Sequence, residues 1–282
     1  MNAYVAAKRI LIVGAGSYIG SCAEDYLRRW PDRYEVESIR SVGLQVSPEL
    51  FENYDIVYNV AGIAHKKETR ENRGKLFEVN RDLAVSLAKA AKEAGVKCFI
   101  QMSSFSVYGM LTGHIDPTTI PLPNSAYGES KLQADEAIMA LADEEFRFAC
   151  LRSPMVYGKG CKGNYERLRA LALKTPFFPD CGGERSMIYV GNLCEFVRRI
   201  IDEPKTGVFF PQNAEYVSVT EMVKTIAELN GKKVKTGKFM APVVRALPFS
   251  AAKKVFGSLI CDKTDTVDTF TFRRSMELTE HE

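Results

Sequence analysis

Tyr127 and Lys131 stand four residues apart in the run Tyr127-Gly128-Glu129-Ser130-Lys131, a spacing that puts both on one face of a helix. A tyrosine hydroxyl titrates near 10 and is a poor base at neutral pH. A neighbouring ammonium and a cationic nicotinamide ring both favour its ionised form. Such a tyrosine takes the proton of an alcohol as hydride leaves the carbon, or returns it in the reverse direction. Taken alone, Tyr-x-x-x-Lys is most often a surface pair. Its position gives it weight, because Ser104 ends a strand-like run 23 residues earlier and can hydrogen-bond the same substrate oxygen.

A second constellation lies near the N-terminus. The apolar run Ile10-Leu11-Ile12-Val13 leads into Gly14, Gly16 and Gly20, with Ser17, Tyr18 and Ile19 between the last two, and then into a helical segment reaching about Trp30. Glycines let backbone approach a pyrophosphate, and a helix start offers free N–H groups and a positive dipole end. The spacing departs from GxGxxG, since Ile19 occupies the place of the third glycine. The next strand-like run, Val36 to Ile39, ends in Arg40. A carboxylate there would suit the ribose hydroxyls of NAD, whereas an arginine suits a 2′-phosphate, so NADP is favoured over NAD.

These residues need elements to hold them. Strand-like runs at 10–13, 36–39, 55–60, 98–104 and 148–151 alternate with helical patterns, among them Leu76 to Gly95 and 129–142. That alternation predicts an α/β fold, a parallel sheet flanked by helices, with ligands at the carboxyl ends of the strands. Beyond about residue 155 the order becomes irregular, which suggests a smaller substrate-covering portion. The 282 residues carry 38 Lys and Arg against 35 Asp and Glu, a net charge of +3, which does not suggest a nucleic-acid binder. No apolar run approaches the ~18 residues of a spanning helix, and no signal peptide is expected. Seven widely spaced cysteines, no CxxC and only three histidines argue against a metal site and for reduced thiols in a cytoplasmic protein.

The ordered set GAGSYIG (14–20), NVAG (59–62), VNR (79–81), SSFSVYG (103–109), AYGESK (126–131), LRSPMVYGKGCKGNY (151–165) and RSMIYVGNL (185–193) resembles the extended short-chain dehydrogenase/reductase family, in its nucleotide-sugar epimerase/dehydratase branch. The resemblance implies a Rossmann-type dinucleotide-binding domain at 1–155 with a return segment near 187–212. A smaller substrate-binding portion would occupy 156–186 and 213–282. It implies a cofactor site at Gly14, Gly16, Ser17, Tyr18, Ile19, Gly20, Arg40, Ala61, Gly62, Asn80, Tyr127 and Lys131. Ser104, Tyr127 and Lys131 match the catalytic triad. Ser104, Ser106, Asn164 and Arg185 fall on the substrate side, the last two near a diphosphate. The implied substrate is a nucleotide sugar of UDP type, and a homodimer formed through the helices around 76–95 and 129–142 is usual for the family.

The departures are informative. Ser17 stands at the middle glycine of the family's loop, and Gly191 replaces a commonly acidic residue, which reads as structural. Family dehydratases resemble Thr-Asp-Glu where this chain reads Ser104-Phe105-Ser106, and Phe105 transfers no proton. Oxidation and reduction at C4 remain, as an epimerase or as a 4-keto reductase, with Arg40 leaning toward the NADPH-exchanging reductase. Two rivals stay open: a reductase of a non-sugar carbonyl, and a catalytically silent dinucleotide-binding protein. Among single residues, His65 is read as a solvated loop histidine, Phe177 and Phe178 as core, and Met102, Met110 and Met155 as core fillers. The segment 239–260 is read as a cover for the sugar or a partner contact.

Overall fold

The computed structural model describes residues 6–64, 68–180, 182–237 and 256–281. His65, Cys181 and most of 239–260 therefore lie outside the described residues. The chain divides into two units, 1–109 with 121–153 and 194–209, and 110–120 with 154–193 and 210–282.

The first unit opens with β1 (Lys8–Val13), α1 (Tyr18–Leu27), β2 (Tyr34–Ile39) and β3 (Ile56–Asn59). It continues through α2 (Arg73–Phe77), α3 (Ala84–Glu93) and β4 (Cys98–Ser104). After a short strand of the second unit, β5 (Gly113–Ile115), come α4 (Ala126–Met139) and β6 (Arg147–Ser153). The chain then gives the second unit β7 (Met155–Tyr157), α5 (Asn164–Lys174), β8 (Phe177–Pro179), β9 (Glu184–Arg185) and β10 (Met187–Tyr189). Helix α6 (Val190–Asp202) leads to β11 (Gly207–Phe209), which completes the first sheet.

That sheet has six strands in the order β11-β6-β4-β3-β1-β2, and all its pairings are parallel. It is the doubly wound arrangement expected from the alternation, with β1 the strand from which the order runs both ways. The last four residues of β1 and all of β3 are buried, as strands covered on both faces require. Helices α3 and α4 cover one face. Ala84, Leu87, Ala88, Ala134 and Ile138 meet Leu11, Val57, Phe99 and Phe148 in one apolar core. Gly95, at φ +83°, ends α3 with paired bonds from Gly95 N to Lys92 O and from Val96 N to Ala91 O, both 3.0 Å. The left-handed residue thus satisfies carbonyls the helix leaves open.

One helix differs from its sequence pattern. The run expected to be continuous from Leu76 to Gly95 is α-helical at 73–77, passes through a π-helical turn at Glu78–Leu83, and resumes as α3. The extra residue in that turn brings Asn80 inward, fully buried, onto the backbone of Ile63. A bulge of this kind shifts the apolar pattern by a single residue, too little for periodicity to register.

The second unit adds β12 (Gln212–Asn213), β13 (Val217–Ser218), α7 (Val219–Leu229), β14 (Lys235–Gly237), β15 (Leu259–Cys261), β16 (Thr266–Val267) and α8 (Phe272–His281). Its largest sheet, β13-β9-β15-β5, is mixed. Residues 110–120 belong here because Gly113–Ile115 pairs with Leu259–Cys261, although sequence order alone places them with the first portion. Helix α8 is clasped to α5 by Glu280, which accepts from the Tyr165 hydroxyl at 2.6 Å and from Arg169 Nε at 2.8 Å.

Candidate active site

The glycine loop joins the ends of three strands. Gly14 N and Ala15 N both donate to Ile39 O at 2.8 Å, and Val60 N donates to Val13 O at 3.0 Å. Gly14, at φ +127°, passes so close to the next crossover that a Cβ there would stand 2.8 Å from Val60 Cγ2 and 3.0 Å from Ala61 N. Gly16, at φ +77°, is exposed, and a Cβ there would meet no protein atom within 4 Å. Ser17 caps α1, its Oγ accepting from Gly20 N at 3.1 Å. Ser17 thus serves as a helix cap where the family's loop has its middle glycine. Tyr18, Ile19 and Gly20 form the first turn of α1, and Arg40 is exposed just past β2.

The crossover after β3 carries Ala61, buried, and Gly62, exposed. Asn59 Oδ1 accepts from Ala61 N at 3.1 Å, while Asn59 Nδ2 donates to Gln101 Oε1 at 2.8 Å on the neighbouring strand. Asn80 Oδ1 accepts from Ile63 N at 2.7 Å, and its Nδ2 reaches Ile63 O and Ser130 Oγ. Two buried amides therefore fix the backbone on either side of Gly62. Asn80 was expected here from the resemblance; the Asn59–Gln101 pair was not.

Ser104 ends β4 and caps the short 3-10 turn Phe105–Tyr108. Its Oγ accepts from Ser106 N at 3.1 Å and donates to Ser106 Oγ at 3.2 Å, and the Ser104 side chain favours the ionised form of Tyr127. Helix α4 starts at Ala126, with Ser125 Oγ accepting from Gly128 N, so Tyr127 sits in the first turn and Lys131 one turn deeper. Gly128 makes this meeting possible, because a Cβ there would stand 2.3 Å from Ser106 O. A glycine inside a helix costs about 1 kcal/mol relative to alanine. That unfavourable choice was the signal available in the sequence for a close approach.

Lys131 is only 4% exposed, and its Nζ donates to Met102 O at 2.9 Å. A Cβ on Gly62 would come within 3.2 Å of that Nζ. Burial lowers the Lys131 ammonium to about 8, against the opposing pull of Asp135. Burial raises the Tyr127 hydroxyl, the neighbouring Ser104 side chain lowers it and Asp135 raises it further. In the free protein the lysine therefore gives up its proton before the tyrosine. The phenolate expected from an adjacent ammonium needs a further positive charge at the site.

Ser104, Ser106, Tyr127, Lys131, Asn80 and Gly62 are thus brought together in the first unit. Asn164 and Arg185 belong to the second. Asn164 is exposed and begins α5 after Gly163. Arg185 is half-buried on β9, donates from Nη2 to Leu111 O at 3.4 Å, and is lowered by burial. Phe178 is buried against Phe256, whereas Phe177 is exposed. Met102 is buried, but Met110 and Met155 are only half-buried and do not fill the core as expected. Gly191 is structural, because a Cβ there would stand 2.6 Å from the Tyr189 ring. Among the described residues no group of His, Cys, Asp and Glu is arranged to hold a metal, and no helix is long and apolar enough to cross a membrane.

Comparison with known proteins agrees with this geometry. Residues 10–210 match the model of the NAD dependent epimerase/dehydratase family. The chain is 30% identical to a UDP-glucose 4-epimerase of Vibrio cholerae, over 94% of this chain and 85% of that one. Its fold is similar to a UDP-glucuronic acid 4-epimerase from Bacillus cereus in complex with NAD, at a TM-score of 0.76 and 19% identity, over 96% and 95% of the two chains. A dTDP-4-dehydrorhamnose reductase from Clostridium acetobutylicum is as similar, with a TM-score of 0.76 at 20% identity, over 96% and 98%. The chain belongs to the extended NAD dependent epimerase/dehydratase family, in its sugar-nucleotide branch, whose enzymes perform NAD(P)-dependent chemistry on nucleotide sugars.

Proposed function

We propose that this enzyme oxidises and reduces C4 of a UDP-linked sugar, with Ser104 orienting the C4 oxygen, Tyr127 moving its proton and Lys131 holding the cofactor ribose. The observation that carries this reading is the convergence of Ser104, at the end of β4, with Tyr127 and the buried Lys131 on α4, whose first turn lies against Ser106. The UDP class is supported by the Vibrio cholerae relative.

The chain's own residues fit a dinucleotide. Gly16 leaves open space above a left-handed loop, and the first turn of α1 offers N–H groups with no carbonyl inside the helix to bond. Gly62 is exposed beside Lys131, so a ring lying there meets backbone rather than a side chain. When bound, the nicotinamide supplies or accepts hydride. Its positive charge in the oxidised form is the further charge Tyr127 needs to ionise. Ser104 and Tyr127 then share the substrate oxygen, and the tyrosine takes or returns the proton. Phe105, buried at the place where dehydratases of this family resemble Asp, offers no group to expel water.

Two forms of this chemistry differ in their cofactor traffic. An epimerase returns the hydride to the other face of the sugar and consumes no cofactor, and the 4-epimerase relative supports it. A 4-keto reductase oxidises one NADPH per turnover, and the exposed Arg40 at the end of β2 supports that form. The test is to incubate the purified protein with UDP-glucose, and separately with a UDP-4-keto sugar and NADPH. Conversion of UDP-glucose to its C4 epimer without net NADH formation establishes the first form. Stoichiometric NADPH oxidation with the keto sugar alone establishes the second. Inertness across a panel of UDP-sugars in both assays would overturn the proposal.

A further inference from the structure

Beneath Lys131 lies a buried charged pair with no place in the chemistry above. Asp135 follows Lys131 by one helical turn on α4 and is 2% exposed. Its Oδ2 accepts from Ser103 Oγ at 2.7 Å and from Arg152 Nε at 3.2 Å. Arg152, itself buried on β6, also donates from Nη1 to the Tyr108 hydroxyl at 3.0 Å. Serine, arginine and tyrosine thus come from β4, from β6 and from the turn that carries Ser106.

We propose that Asp135 is the positioning residue for Lys131: pinned to the sheet by Ser103 and Arg152, it supplies the buried counter-charge that fixes the lysine ammonium at the cofactor edge. The inference rests on the reading of Lys131 as the residue that holds the cofactor ribose. A buried ion pair is no general source of stability, since desolvation can outweigh attraction. A carboxylate held by two donors at one oxygen, one turn from a buried lysine, is better explained by its effect on that lysine. The arrangement also sets the register of α4 on the sheet. Ser103 is adjacent to Ser104 and Met102, so the strand that pins Asp135 also presents the Ser104 hydroxyl and the Met102 carbonyl that Lys131 bonds.

The groups facing the pair are few. Cys150 and Arg152 face it from β6, Ser103 from β4, and Tyr127 from the same helix, with Tyr108 behind Arg152. Burial raises the Cys150 thiol well above its ordinary range, so it stays neutral. Among these groups Asp135 is the carboxylate, one turn from Lys131 on α4, and Arg152 is its ion-pair partner at 3.2 Å.

The test follows the Lys131 Nζ resonance by ¹⁵N NMR across pH in the ligand-free protein, with the signal identified by its absence in Lys131→Met. Asp135→Asn is expected to lower the titration midpoint by at least about one pH unit, a tenfold change in proton affinity. Asp135→Glu is expected to restore it. An unchanged midpoint in folded Asp135→Asn overturns the proposal. If Asp135→Asn does not fold, because Arg152 is left buried and unpaired, the double variant Asp135→Asn/Arg152→Gln is compared with Arg152→Gln alone, and an equal midpoint in those two overturns the proposal. NADH titration near pH 8 forms a separate arm, in which the Asn variant should bind about tenfold more weakly. A wild-type protein that binds neither NADH nor NADPH would overturn the proposed function, and the NMR arm would still decide the role of Asp135.

Discussion

Gly128 and Ser106 are in backbone contact: a Cβ on Gly128 would lie 2.3 Å from the Ser106 carbonyl oxygen and 2.9 Å from its carbon. The first turn of α4 is thereby laid directly on the 3-10 turn that follows β4. Because Tyr127 precedes Gly128 and Ser104 opens that turn, this contact bears directly on the spacing of the two side chains.

Gly128→Ala tests the contact. In an open helix, alanine would be worth about 1 kcal/mol more than glycine. Here the added methyl meets backbone, which has no rotamer to yield, so α4 must lift from the turn. The expected outcome is a lower melting temperature and a turnover reduced by tenfold or more. A variant as stable and as active as wild type would mean that the spacing of Ser104 and Tyr127 is not set here.

Tyr127→Phe removes the hydroxyl and keeps the ring. Loss of a positioned proton carrier costs ~10²–10⁴ in rate. Tyr127 is half-buried, and the Ser104 hydroxyl keeps its bonds to Ser106, so no buried donor is stranded. Turnover should collapse, while the melting temperature and dinucleotide affinity change little. Steady-state kinetics beside a binding titration separates the two effects, and retained turnover would remove Tyr127 from the chemistry.

The parts of this site that were legible in the sequence share one property: their meaning lies in residue type at short spacing. The glycines after β1, the serine ending β4 and the pair Tyr127 and Lys131 are of that kind. What was not legible depends on contacts between distant segments. The π-helical turn that carries Asn80 inward changes the apolar period by one residue over a single turn. Asp135 reads as one more polar residue on a helix until Ser103 and Arg152 arrive from two strands. Residues 110–120 carry no local mark of the unit they join, because their partner strand begins at Leu259, well over a hundred residues later. Gly128 lies between, visible as a costly glycine but with no indication of what it approaches.

Arg40 offers a test of cofactor choice. It is exposed past the end of β2, beside the loop that Ile39 O holds through Gly14 N and Ala15 N. A guanidinium there pairs with a ribose 2′-phosphate, and a carboxylate there repels it. Arg40→Asp should lower the ratio of NADPH to NADH affinity by at least about tenfold, equivalent to ~1.4 kcal/mol. The substitution is on the surface and should leave the melting temperature unchanged. An unaltered ratio would place the determinant of cofactor choice elsewhere.

The burial of Lys131 has a consequence for stability that can be measured without any ligand. In the unfolded chain a lysine titrates near 10.4, whereas burial lowers Lys131 to about 8 in the folded protein. Between those values the unfolded chain holds a proton that the folded chain has released, so stability rises with pH across that window. Below about 8 both states are protonated, the slope vanishes, and the folded protein bears the full cost of the buried charge. The window spans a little over two pH units, or roughly 2–4 kcal/mol. Lys131→Met has no such group, while the thiols and tyrosines that titrate in the same range are present in both proteins and cancel in the difference. Urea unfolding of the two proteins at several values from about pH 7 to pH 10 should therefore show the gap constant below 8 and moving steadily in favour of wild type above it. A gap that stays flat to pH 10 would mean that Lys131 keeps its proton throughout, and that Asp135 outweighs desolvation at this site.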